Sequence, residues 1–282
     1  MNKLSFVASM LMMCLPMTMM AQKNGAKAQN KPDPNFQIYL CFGQSNMEGN
    51  ANIEDIDRTG VNPRFMAMYA VDDEKAGWKK GQWHTAVPPQ ARPTTGLTPV
   101  DYFGRKMVDN LPDSIKVGTI TVAVGGASID LFDKRTCKAY LKKQPDWMKN
   151  FASQYNGNPY ARLIELAKIA QKQGVIKGIL LHQGETNNGD VNWPNRVKTV
   201  YNDILKELHL KAEDVPLLVG ETVRQDQGGI CWKHIAIVDD IAKTIMTNIT
   251  FIGIMGAILS SDKYSHKYKF SVKHKFYINV GR

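Results

Sequence analysis

Cysteine is scarce in this chain, with four among 282 residues, and Cys14 falls within an N-terminal apolar run, leaving Cys41, Cys137 and Cys231. Three at wide and irregular spacing supply neither a complete disulfide framework nor a zinc pattern, so at most one bridge can form. No His and carboxylate set has ligand spacing and no glycine-rich loop runs into a Lys, so neither a metal nor a phosphate-bearing cofactor is expected. Acidic residues are missing from positions 1–32 and again after Asp262. The net charge of +10 therefore sits at the ends, on Lys3, Lys23, Lys27 and Lys31 and on Lys263, Lys267, Lys269, Lys273, Lys275 and Arg282, while residues 33–262 are neutral. Binding to nucleic acid needs Lys and Arg clustered on a folded face, and a neutral body with basic ends excludes that partner class from expectation. Internal repeats are also missing.

Residues 1–21 read as a signal peptide, with an early cation at Lys3, an apolar run over 4–20 and a cleavage point near Ala21-Gln22. An uncleaved anchor and a lipoprotein modified at Cys14 are the alternatives; the run is short for a span, and Met13 is bulky where a lipoprotein site wants a small residue. The expectation is an exported protein, periplasmic or extracellular, with no stable membrane insertion after cleavage. Residues 22–35, rich in Lys, Asn, Gln and Pro, form a flexible linker, 36–262 one domain and 263–282 an atypical basic tail.

Within the domain, short β-branched apolar runs alternate with stretches of helical period, the pattern of a parallel sheet covered by helices on both faces. Strands are expected over 36–42, 64–69, 116–124, 176–182, 216–221 and 249–254, and helices over 98–110, 160–172, 193–208 and 230–247. Residues 72–99 show neither period and read as a long surface excursion carrying Trp78, Trp83 and His84, whose rings either stack on a sugar or pin the loop to the body.

Reactive groups in open α/β sheets gather just past the carboxyl ends of the strands. Three strand ends are informative. The first is followed by Gly43-Gln44-Ser45-Asn46-Met47-Glu48-Gly49, a serine in a tight turn; the third expected strand by Gly125-Gly126-Ala127-Ser128-Ile129; the fourth ends in His182-Gln183-Gly184-Glu185-Thr186-Asn187. A nucleophilic serine must project beyond the sheet while nearby N–H groups stay free for an oxyanion. Taken singly, each is an ordinary turn, and on spacing alone Ser45 reads as a helix cap.

Together, and in this order, the three blocks resemble those of the SGNH hydrolase superfamily, in its sialate O-acetylesterase and acetylxylan esterase branch: Gly-Gln-Ser-Asn-Met, Gly-Gly with a small residue and Ile, and His-Gln-Gly-Glu. Gly220-Glu221 with Gln225-Asp226-Gln227-Gly228-Gly229 resembles a further stretch of the branch. The resemblance implies a three-layer α/β/α sandwich with a central parallel sheet and removal of O-acetyl groups from a carbohydrate, the acetylated sugar being the partner. It implies Ser45 as nucleophile, an oxyanion hole from the N–H groups of Ser45 and Gly126 and the side chain of Gln183, and a pocket that includes Gln44, Asn46 and Glu185.

The family completes its triad with an Asp-x-x-His pair near the C-terminus. Here Asp262-Lys263-Tyr264-Ser265-His266 is one residue longer. Asp262 and His266 are the expected orienting acid and base, with His274, His234 and His84 as the other candidates for the base. Two further readings stand beside this one: a glycan-binding relative without a placed base, and a glycosidase or lyase accessory using Glu185 and Glu221 as facing carboxylates.

Overall fold

The computed structural model describes residues 31–220, 222 and 249–252. Among the described residues seven strands form one sheet: β1 (Phe36–Gly43), β2 (Phe65–Met68), β3 (Trp83–Thr85), β4 (Lys116–Ala123), β5 (Val175–His182), β6 (Leu217–Gly220) and β7 (Ile249–Ile252), ordered β3-β2-β4-β1-β5-β6-β7. The sheet is parallel as expected, with one correction: β3 pairs antiparallel with β2 at the edge. Three residues are too few to show alternation, which is why a strand inside 72–99 is not visible in the sequence.

The helices are α1 (Ser45–Glu48), α2 (Asp55–Arg58), α3 (Pro99–Asn110), α4 (Cys137–Lys142), α5 (Asp146–Ser153), α6 (Pro159–Ala170) and α7 (Trp193–Leu208). The three long ones stand where the period places them. Thr98 and Asn158 cap α3 and α6 by accepting from Val100 and Ala161 N–H, each before a proline that needs no acceptor. The short α4 and α5 offer too few turns for a period to repeat. The helix expected over 230–247 lies outside the described residues.

Alternation along β1 builds the three layers. Ile38, Leu40 and Phe42 join Leu163 and Leu166 of α6 and Ile204 and Leu208 of α7 on one face, whereas Tyr39 and Cys41 join Val100 and Val108 of α3 on the other. Each buried leucine contributes about 2 kcal/mol by leaving water. Cys41 and Cys137 are free thiols, each buried, and burial pushes both up; Cys231 lies outside the described residues.

The rings of the long excursion pin it. Trp78 stacks on His84 with centroids 3.8 Å apart and meets Tyr69 edge-on at 4.8 Å, while Trp83 meets Phe36 at 4.8 Å. Of the two readings for Trp78 and Trp83, packing against the body is the one realised, both rings lying against the larger core.

Strand register decides which turns share one end of the sheet. Gly43 of β1 pairs with Ala123 of β4 on one side and His182 of β5 on the other. Three strands remote in sequence thus end in one row, and the three turns beyond them meet.

Candidate active site

Gly43 has φ of +153°, and a Cβ there would lie 2.1 Å from the His182 carbonyl oxygen. Only glycine lets β1 pass so close to the end of β5 before the chain turns. Gln44 N–H donates to that carbonyl at 2.9 Å. Ser45 then opens α1 as its first helical residue; Gln44 is the cap residue and makes no side-chain cap bond. The helix-cap reading of Ser45 therefore fails. Its hydroxyl has no hydrogen-bond partner among the described residues, and it is half-buried while Met47, Glu48 and Gly49 behind it are buried.

The turn after β4 abuts this serine. A Cβ on Gly125 would stand 3.9 Å from the Ser45 Cβ and 2.7 Å from Glu48 Oε2. Gly125 N–H donates to Glu48 Oε1 at 3.0 Å, and the buried Arg92 guanidinium bonds the same oxygen. Burial pushes the Glu48 carboxyl up, and Arg92 and the Gly125 N–H pull it back down. Gly126 has φ of +68°, and no acceptor among the described residues takes its N–H. Glu48, three residues after Ser45, thus ties the helix that Ser45 opens to the turn that carries Gly126.

The turn after β5 behaves differently. Gln183 is fully buried. The Trp193 indole N–H donates to its Oε1, and because indole nitrogen can only donate, this fixes which way the amide faces. The NH2 end has three acceptors in reach, Gln44 Oε1 and Ala127 O at 3.2 Å and Asn187 Oδ1 at 2.6 Å. Two N–H bonds among three acceptors leave no donor to spare. Gln44 is also buried, at 3% exposure, and its Oε1 further accepts from the N–H groups of Gly184 and Thr186 at 3.4 and 3.3 Å. Both amides join the first turn to the third, Gln183 with each of its polar groups engaged and Gln44 through its Oε1 alone.

Asn46 and Glu185 do face each other across the half-buried mouth, Asn46 Nδ2 donating to Glu185 Oε1 at 2.5 Å. The same oxygen lies 3.7 Å from Nδ1 of the buried His182. Asn187 Nδ2 donates to Ser128 Oγ at 3.1 Å and the Thr186 hydroxyl to Gly126 O at 3.0 Å, so the second and third turns are also joined. No pattern in the sequence singles out Glu48, Arg92, Asn187 or Trp193 for these roles; only Glu48, one helical turn from the serine, carries a positional hint.

Of the imidazoles, His84 sits on edge strand β3, separated from β1 by two strands and engaged with Trp78 and Thr85 O. Burial lowers its pKa. It is not brought to Ser45. Asp262, His266, His234, His274 and Glu221 lie outside the described residues.

A mostly parallel sheet covered by helices on both faces thus carries, just past the end of its central strand, a half-buried serine beside a glycine turn with an N–H that has no acceptor among the described residues. The family described as carbohydrate esterase, sialic acid-specific acetylesterase matches residues 35–273. The chain belongs to that family, and its enzyme class is carbohydrate O-acetylesterase. Solved structures of similar fold include a protein from Arabidopsis thaliana, at TM-score 0.54 and 18% identity over 78% of this chain and 85% of that one. NanS matches at 0.54 and 17% over 79% and 78%. A carbohydrate acetylesterase from Xanthomonas citri matches at 0.51 and 18% over 76% of this chain and 49% of its own. At these identities the likeness attests the fold.

Proposed function

We propose that the protein removes O-acetyl groups from a carbohydrate through an acetyl-enzyme on Ser45. The observation that carries this reading is the accessible Ser45 hydroxyl, free of any capping bond, beside the outward Gly126 turn. Ser45 Oγ bonds the acetyl carbon as its proton passes to an imidazole, assigned to His266 with Asp262 orienting it. The Ser45 and Gly126 N–H groups hold the oxyanion. The bond to the sugar oxygen then breaks, that oxygen takes the proton from the imidazolium, and water releases acetate by the reverse proton path. Gln183 serves as a third donor only if its amide gives up Ala127 O or Asn187, and the Asn46 and Glu185 pair shapes the mouth.

The apolar run over 4–20 supports export to the periplasm or beyond. Among the described residues no helix is long and apolar enough to cross a membrane.

Acetate release from an aryl acetate and from acetylated saccharides, by the parent, Ser45→Ala and His266→Ala, tests the chemistry. Loss in both variants is expected. Loss in Ser45→Ala alone moves the base to another histidine, and a parent without turnover that still binds acetylated glycan would replace the enzyme by a binding relative.

A further inference from the structure

Among the described residues three large apolar side chains are exposed, Ile56, Val191 and Trp147, the last at 49%. Trp147 lies beside the site. A Cβ on Gly126 would lie 2.9 Å from Trp147 Cη2 and 3.8 Å from Cζ2, so the indole edge borders the turn that offers the oxyanion N–H. Gly125, one residue earlier, borders Ser45. Two consecutive glycines thus separate Ser45 from a half-exposed indole.

The ring is also braced from behind. It meets Phe151 edge-on at 5.9 Å, and the Arg92 guanidinium lies 4.3 Å over the Phe151 ring. Arg92 in turn bonds Glu48 on the serine's own helix. The chain of contacts from Ser45 through Glu48, Arg92 and Phe151 to Trp147 holds the indole in register with the nucleophile. Leaving half an indole in water forfeits apolar burial, which is consistent with a face reserved for a ligand.

We propose that Trp147 is the sugar platform of the site: with the acetyl group of an ester at Ser45, the pyranose ring that carries it stacks its C–H face on the Trp147 indole. This rests on the acetylesterase reading above and adds to it the residue that distinguishes saccharide esters from simple acetates. The polarised C–H groups of a sugar suit the electron-rich indole face, whereas a small alkyl acetate reaches no farther than the two glycines. Because stacking acts equally on bound substrate and transition state, its loss should raise KM more than it lowers kcat.

The test compares parent, Trp147→Ala and Trp147→Phe on an acetylated xylo-oligosaccharide or 9-O-acetylated sialic acid and on ethyl acetate, which has no ring to stack. The ratio of kcat/KM for the sugar ester over ethyl acetate should fall at least tenfold in Trp147→Ala, chiefly through KM, with Trp147→Phe between. An unchanged ratio overturns the proposal. Titration of the same saccharides into Ser45→Ala and into Ser45→Ala with Trp147→Ala reads the platform without turnover, and at least tenfold weaker binding in the double variant is expected. An inactive parent whose Ser45→Ala binding still depends on Trp147 would sink the esterase chemistry and keep the platform; equal binding by both variants would sink the platform whatever the activity.

Discussion

The turn after β4 and the turn after β5 end neighbours of the same strand, yet they treat their polar groups in opposite ways. At Gly126 a backbone N–H is left without a described acceptor, and the turn is held from outside by Glu48 on Gly125. At Gln183 every polar atom of the amide is consumed by Gln44, Ala127, Asn187 and Trp193. Equal placement at the carboxyl edge of a sheet does not imply equal work. A group becomes available for chemistry when the structure supports it without spending it, and a side chain with more acceptors than donors becomes scaffold.

Four changes break or sharpen this contrast. The largest effect is expected from Glu48→Ala, which leaves the buried Arg92 without its anion and Gly125 without its acceptor. Removing one partner of a buried pair costs about 3–5 kcal/mol, to be read by chemical unfolding. Adding Arg92→Met should recover part of that stability but not the activity; full recovery of both would show that the pair does not position the turn.

Next is Gly126→Ala, where φ of +68° and Trp147 at 2.9 Å both oppose a Cβ. The strain of a left-handed alanine costs about 1–2 kcal/mol, while a displaced oxyanion donor should lower kcat about 100-fold. A kcat within threefold of the parent would remove Gly126 from the oxyanion role. Smaller again is Gln183→Leu, which strands the Trp193 N–H and the carbonyls around it and should lose about 2–3 kcal/mol of stability. If Gln183 is scaffold, turnover well below the melting temperature stays within tenfold of the parent; a 100-fold loss would reinstate it as an oxyanion donor.

The smallest effect concerns a buried carboxyl away from both turns. Asp101 is pushed up to about 6 because burial outweighs its contact with Arg105 at 2.8 Å. Its folded form holds the proton more tightly than the unfolded chain, so its contribution to stability is complete below about pH 4 and is lost as pH rises through about 6. Asp101→Asn should flatten the fall in unfolding free energy between pH 4 and 7, and an unchanged slope would assign that titration elsewhere.

The long elements are legible in the sequence alone. β1, β4 and β5 are mostly apolar and buried on both faces over their C-terminal halves, and α3, α6 and α7 repeat their apolar stripe often enough to be read. β3, α4 and α5 are not legible there, since three to eight residues complete too little of any period. Three glycine-bearing turns at three strand ends, with Ser45 in the first, likewise stand in the sequence in order.

Which of those turns offers a hydrogen bond and which one keeps it only the tertiary structure decided. Gln44 and Gln183 stand 139 positions apart and meet because β1 and β5 pair in register. Arg92 reaches Glu48 from a loop with no period of its own, and Trp147 comes to Gly126 on a helix too short to predict. A residue's type and its place on a strand end are local properties that the sequence carries by itself. Whether its polar atoms remain available depends on partners that only chain packing brings within about 3 Å.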